Sequence, residues 1–172
     1  MKNKIPIKMA LCIIVLAVAT VVIINQMNEN NRLREKLDSV KHVLPFSQIQ
    51  YDLVQLEGAI AYQMQAQWKE PAHVLEKVGD VMQDIVVLME VNAAIDMMSQ
   101  QEKQDIQYFY NRILDYPRDN LVEPSNELSA AEQEELIHLR EALKDAGWGI
   151  GLGNQAHWDS FIEKLRVLLP QL

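Results

Sequence analysis

The stretch "SQIQYDLVQLEGAIAYQMQAQW", residues 47–68, decides the fold class of this chain. Its apolar residues recur at steps of three and four, which places them on one face of an α-helix rather than on the alternating face of a strand. The face consists of Ile49, Leu53, Leu56, Ile60 and Met64. An amphipathic helix must bury such a face against other elements, so the stretch predicts a packed helical core.

The chain downstream of this stretch continues the helical periodicity. Pro71, two capping-box spacings that begin at Ser99 and Ser129, and Gly147 divide it into segments of helical length. We therefore predict an all-α fold, with a compact bundle of about five helices over residues 46–172. The periodicity leaves open whether the helices around 72–98 and 100–116 are continuous, and the capping box at Ser99 favours a turn between them.

The N-terminal segment is of a different kind. Three lysines precede the uncharged run "MALCIIVLAVATVVII", residues 9–24. A basic lead into an apolar run is typical of a targeting signal that is either cleaved or kept as an anchor. Because the run stays apolar past the cleavage-like triplet that ends at Ala19, we predict a single-pass transmembrane signal-anchor. Cleavage after Ala19 is the alternative, and it would make the chain a secreted helical protein.

The lysines also predict the orientation in the membrane. All three lie before the anchor, so residues 1–8 form a short cytoplasmic tail and the bulk of the chain is extracytoplasmic. Residues 25–45 are predicted to form a juxtamembrane helix with an apolar seam. We expect a protein partner or a second copy of the chain to cover that seam, because a single helix leaves its apolar stripe exposed to water. Its residues are Leu33, Leu37, Val40 and Leu44.

The charge and the cysteine content of the chain limit the classes of partner that it could bind and the interactions that could stabilise its fold. The part after residue 24 carries 13 basic residues (16 less the three N-terminal lysines) and all 24 acidic ones, a net charge of −11. A surface of this sign is unsuited to phosphate backbones, so we expect no nucleic-acid partner. The only cysteine, Cys12, lies in the predicted anchor, and the bundle must therefore rest on its apolar core rather than on disulfides.

Four of the six glycines fall in "GWGIGLGN", residues 147–154. Neither the dinucleotide fingerprint nor the P-loop matches this spacing, and the element before it is a predicted helix rather than a strand. We interpret the segment as a helix connector, with a hinge, an anion-binding nest and an apolar patch as the alternatives. The connector glycines are Gly147, Gly149, Gly151 and Gly153.

Two Glu-x-x-His spacings raise the question of a metal centre. They are Glu70 with His73 and Glu135 with His138, and di-iron bundles use two such pairs that point inward. However, His138 lies opposite the apolar stripe of its own helix, and the other pair sits at a helix start beside Pro71. We therefore expect no metal and no cofactor, and we find no nucleophile and base arranged for catalysis.

Glu57 falls within the apolar stripe of its helix. A buried carboxylate costs free energy unless it is paired or protonated, so Glu57 either lies at the edge of the stripe, where it reaches solvent or pairs with an arginine such as Arg140, or serves as a functional carboxylate. We expect the first.

Together these observations favour a membrane-anchored, non-enzymatic helical protein-interaction module of the bacterial cell envelope. The alternative is an extracytoplasmic ligand-sensing bundle with a pocket between helices, around Glu57.

Overall fold

A computed structural model describes residues 16, 18–33, 45–118, 127–149 and 157–172 of the chain. Within these ranges every regular element is helical and there is no strand, so the predicted all-α class is confirmed. The chain divides into two compact units, Met1–Val40 and Lys41–Leu172. Each unit is described by itself.

The first unit contains helix α1, residues 18–33. It runs without a break through position 25, where the sequence predicts the change from anchor to juxtamembrane helix. Of the predicted anchor, residues 9–15 and 17 lie outside the described residues. Across the part of the chain that the structure describes, no helix combines the length and the apolar character needed to cross a membrane.

The second unit is a helical bundle built around one central helix. Helix α2 contacts α3, α5 and α6, while α4 contacts α3, α6 and the C-terminal 3-10 helix. The bounds are α2 Pro45–Ala66, α3 Ala72–Ile95, α4 Gln100–Ile113, α5 Ala130–Asp145, α6 Trp158–Leu168 and the 3-10 helix Leu169–Gln171.

The apolar face of α2 is buried as predicted, except at its end. Ile49, Leu53, Leu56 and Ile60 are fully buried, but Met64 is 38% exposed. Gln63 takes the buried position instead, since its Oε1 accepts a hydrogen bond from the backbone N–H of Glu70 in the turn to α3. Met64, one position further along the helix, lies at the edge of the buried face.

Helices α3 and α4 are separate. Asp96 adopts a left-handed conformation (φ 47°) after the last turn of α3, and Asn92 Oδ1 accepts a hydrogen bond from the Met98 N–H at 2.9 Å. Ser99 then caps α4 in a reciprocal capping box with Glu102. Local signals of this kind end one helix and begin the next without help from tertiary contacts.

The connector between α5 and α6 begins with a glycine-dependent helix stop. Gly147 has φ +88°, its N–H bonds to Lys144 O, and the N–H of Trp148 bonds to Leu143 O. This pattern is the Schellman motif, which requires a residue that tolerates positive φ. Trp148 is fully buried and packs at a ring distance of 6.1 Å on Phe161 of α6, so the stop also anchors the connector.

Candidate functional site

Glu57 lies in the interior of the bundle and pairs with the arginine named as a candidate from the sequence. It is 3% exposed, and Arg140 Nε of α5 lies 2.9 Å from its Oε1. The Nε–H makes no well-directed hydrogen bond, so the contact is mainly electrostatic. Arg140 Nη1 also donates to Glu141 Oε1 at 2.7 Å. Through this ion pair Glu57 connects α2 to α5, which is a structural role.

A lysine side chain contacts the described part of the glycine connector. Lys164 of α6 donates a hydrogen bond to Gly147 O at 2.7 Å, and its Nζ lies 5.9 Å from the centre of the Trp148 ring. Burial lowers the pKa of this lysine. Gly149 is buried, whereas Gly151 and Gly153 lie outside the described residues. Where it is described, the connector packs onto α6.

Helix α6 begins without a side-chain cap. Its first residue is Trp158, and His157 occupies the N-cap position without a side-chain capping bond. Trp158 Nε1–H instead donates to Glu102, the capping glutamate of α4. This long-range bond links the first turn of α6 to the first turn of α4.

The predicted partner seam is described at one position only. Leu33, at the end of α1, is 56% exposed. Leu37, Val40 and Leu44 lie outside the described residues.

The two Glu-x-x-His pairs do not converge. His73 Nδ1 lies 3.6 Å from Glu76 Oε2 on the surface of α3, away from the α5 pair. Among the described residues, no three acidic, histidine or cysteine side chains are grouped so as to hold a metal ion.

The α5 pair lines a cavity that the sequence did not reveal. Its volume is about 400 Å³, and it lies between the end of α4, the middle of α5 and the C-terminal 3-10 helix. Positively and negatively charged side chains both line this cavity. Arg112 Nη1 is 3.7 Å from Asp115 Oδ2, and the buried Arg112 Nε–H has no hydrogen-bond acceptor. The lining residues are Arg112, Asp115, Tyr116, Glu135, His138, Gln171 and Leu172.

A second polar cluster lies between α2 and α3, where the sequence suggested only core and surface. Asp52 of α2 is 4% exposed and accepts a hydrogen bond from Gln48 Nε2 at 3.1 Å. Asp84 of α3 is its neighbour across the interface. No motif signals this pair, because its formation depends on the register between two helices.

Comparison with protein-family models, with curated proteins and with solved structures finds no match to this chain.

Proposed function

We propose that this chain is a single-pass membrane protein whose extracytoplasmic helical bundle serves as a non-enzymatic protein-interaction module of the bacterial cell envelope. One observation carries the membrane part of the proposal, namely the surface of α1. The described apolar side chains between residues 16 and 24 are 50% to 67% exposed. At about 100° per residue they surround the helix rather than forming one stripe, and a helix that is apolar all round suits lipid better than water. The side chains are Leu16, Val18, Val21, Val22, Ile23 and Ile24.

The one hydroxyl within this part of α1 is satisfied inside the helix. Thr20 Oγ1 donates to the carbonyl oxygen of Leu16 at 2.8 Å. Polar groups in hydrocarbon need such internal partners because no water is present there. The N-terminal lysines support an orientation with the tail in the cytoplasm and the bundle outside.

The interaction part of the proposal rests on the segment after the anchor. Its seam at Leu33, Leu37, Val40 and Leu44 has helical spacing, and Leu33 is exposed in the described part of α1. A protein partner or a second copy of the chain would cover this seam.

Cell fractionation of the intact chain in a bacterial host tests the anchor. We expect the full-length mass in the membrane fraction, resistant to alkaline extraction. The variant Val18→Arg should lose membrane retention, since an arginine near the centre of a span costs about 2.5–3.5 kcal/mol on insertion scales. Asn28→Arg, on the same helix after the apolar run, is the matched control. A mature mass that begins at Thr20, with release into the medium, would refute the anchor and favour the secreted alternative.

Disulfide crosslinking tests the interaction. Cysteine placed at position 37 should form a disulfide with a second copy of the chain, or with a partner that carries a cysteine at the seam, and cysteine at position 36 should do so less. Equal crosslinking at both positions would contradict the seam.

The cavity beside Arg112 favours a second candidate function, the binding of a small ligand. Its wall offers a guanidinium and an imidazole to an anionic group, and Glu135 and Asp115 to a cationic one, so a small zwitterion is the class that fits. Burial raises the pKa of the Tyr116 hydroxyl, which keeps it a neutral donor.

A thermal-shift screen with amino acids and related zwitterions tests this second candidate. A ligand at 100 times its Kd should stabilise the bundle by about 2.7 kcal/mol. Arg112→Gln should abolish the shift and Arg118→Gln, whose side chain is exposed and bonds only to Leu114 O in its own segment, should preserve it. A shift that survives Arg112→Gln would exclude this cavity.

A further inference from the structure

Two carboxyl groups face each other across the contact between α2 and α3. Asp52 is almost completely buried, and Asp84 Oδ2 is buried with no N–H or O–H donor directed at it. The carboxyl of Asp52 is nevertheless a hydrogen-bonding neighbour of Asp84. Two ionised carboxylates cannot hydrogen-bond, because each offers only acceptors. One of the two carboxyl groups must carry a proton for a hydrogen bond to form between them.

The surroundings disfavour ionisation of both groups. Asp80 lies one turn before Asp84 on α3 and adds a further negative charge. Lys77 is the nearby cation: its Nζ is bound to Asp80 Oδ2 at 2.5 Å, and it also interacts electrostatically with Asp52. Lys77 lies seven residues before Asp84, about 10 Å along the helix axis. No charged group of α4, which also packs on α3, is among the described side chains that act on Asp84.

We propose that Asp52 and Asp84 form a pair that shares one proton. The shared proton holds α2 and α3 together at low pH, and its loss loosens the contact between the two helices. Protonated Asp84 donates to the Asp52 carboxylate, while Gln48 supports the same carboxylate through its amide. Loss of the shared proton leaves two negative charges in contact within a partly dry interface, and these repel. The device makes the hairpin of α2 and α3 sensitive to the pH of its compartment.

The electrostatics place the transition near neutral pH. Burial raises the pKa of Asp84 from 3.8 to about 7, helped by the hydrogen bond to Asp52 and by the charges of Asp52 and Asp80. The folded chain therefore holds a proton that the unfolded chain releases at about pH 4. Stability is fully present below pH 4, falls as the pH rises towards 7, and is constant above that. The unfolding equilibrium constant rises by up to about tenfold per pH unit within this window.

Urea unfolding of the full chain in detergent, between pH 4.5 and 9, tests the proposal. The wild type should lose stability with rising pH. Asp84→Asn, which carries a permanent donor of the same shape, should remove most of that loss and be the more stable chain at pH 8. Asp159→Asn, an exposed aspartate on α6, is the matched control and should keep the wild-type slope. The difference between wild type and Asp84→Asn cancels the contribution of the histidines.

Carbon-13 NMR titration of the aspartate carboxyls in the wild type gives a second measurement that needs no variant. One resonance, assigned to Asp84 by its loss in Asp84→Asn or its shift in Asp52→Asn, should titrate near pH 7. Asp52→Asn should return it towards pH 4. An Asp84→Asn chain with the wild-type slope, or a wild-type spectrum in which every aspartate titrates below pH 5, would overturn the proposal.

Discussion

Removal of Arg140 is the perturbation whose effect the structure specifies best. Arg140→Met keeps much of the aliphatic length of the side chain and deletes the guanidinium 2.9 Å from Glu57 Oε1. The variant removes the guanidinium that lies against the carboxylate of Glu57, a side chain in a residue that is 3% exposed. Breaking a buried ion pair from one side costs about 3–5 kcal/mol.

The expected magnitude lies at the lower end of that range. The Arg140 side chain is 19% exposed, so water reaches the edge of the pair and restores part of the lost interaction. We expect a loss of about 3 kcal/mol in the free energy of unfolding. With a urea m-value of about 2 kcal/mol/M, the unfolding midpoint should fall by about 1.5 M.

Urea unfolding followed by circular dichroism at 222 nm and by tryptophan fluorescence measures this effect. Arg118→Met is the control, since Arg118 is exposed, and it should change stability by less than about 0.5 kcal/mol. The double variant Glu57→Leu with Arg140→Met should recover most of the loss, because an apolar pair of similar volume replaces the ion pair without a desolvation cost. A single-variant loss below about 1 kcal/mol, or a double variant less stable than Arg140→Met, would refute the reasoning.

Three further changes test the local structure by the same assay. Gly147→Ala should cost about 1–2 kcal/mol, since φ is +88° and the new Cβ would lie 3.2 Å from Lys164 Cε; an unchanged midpoint would contradict the left-handed helix stop. Gln50→Met should raise stability by about 1–2 kcal/mol, because both polar atoms of the buried Gln50 amide lack a hydrogen-bond partner; a loss would show that the amide is satisfied in solution. Ser99→Ala should cost about 1 kcal/mol through loss of the capping bond to the Glu102 N–H, whereas Ser99→Asp should retain most of it.

The features that the sequence predicts correctly are those with local causes. The capping boxes at Ser99 and Ser129 depend on residues three positions apart, and the helix stop at Gly147 depends on one residue that tolerates positive φ. The pairing of Glu57 with Arg140 is long-range, yet Arg140 was one candidate partner, because it lies at the edge of the apolar stripe of its helix and carries the opposite charge.

The features that were missed depend on how helices meet. Asp52 and Asp84 become neighbours only in the register that α2 and α3 adopt, and each residue alone reads as an ordinary polar position. His138 is exposed, as expected, yet it lines a cavity together with Arg112 of α4 and Gln171 of the 3-10 helix, which the sequence did not reveal. Hydrophobic periodicity predicts which face of each helix is buried. It does not predict which other segments of the chain lie near the opposite face.

The polar residues of α2 suggest why this bundle adopts one arrangement. Four of its buried side chains are polar, and three of them contact different parts of the unit: α3, α5 and the turn before α3. An entirely apolar central helix would pack in several registers at similar free energy, since burial of apolar area is not directional. A carboxylate or an amide is satisfied in one register and left unpaired in the next, and an unpaired buried group costs about 1–3 kcal/mol. We therefore expect the double variant at Glu57 and Arg140 to keep its stability while its NMR spectrum shows more than one packing arrangement, which separates the role of the pair in specificity from its role in stability. The polar residues concerned are Gln50, Asp52, Glu57 and Gln63.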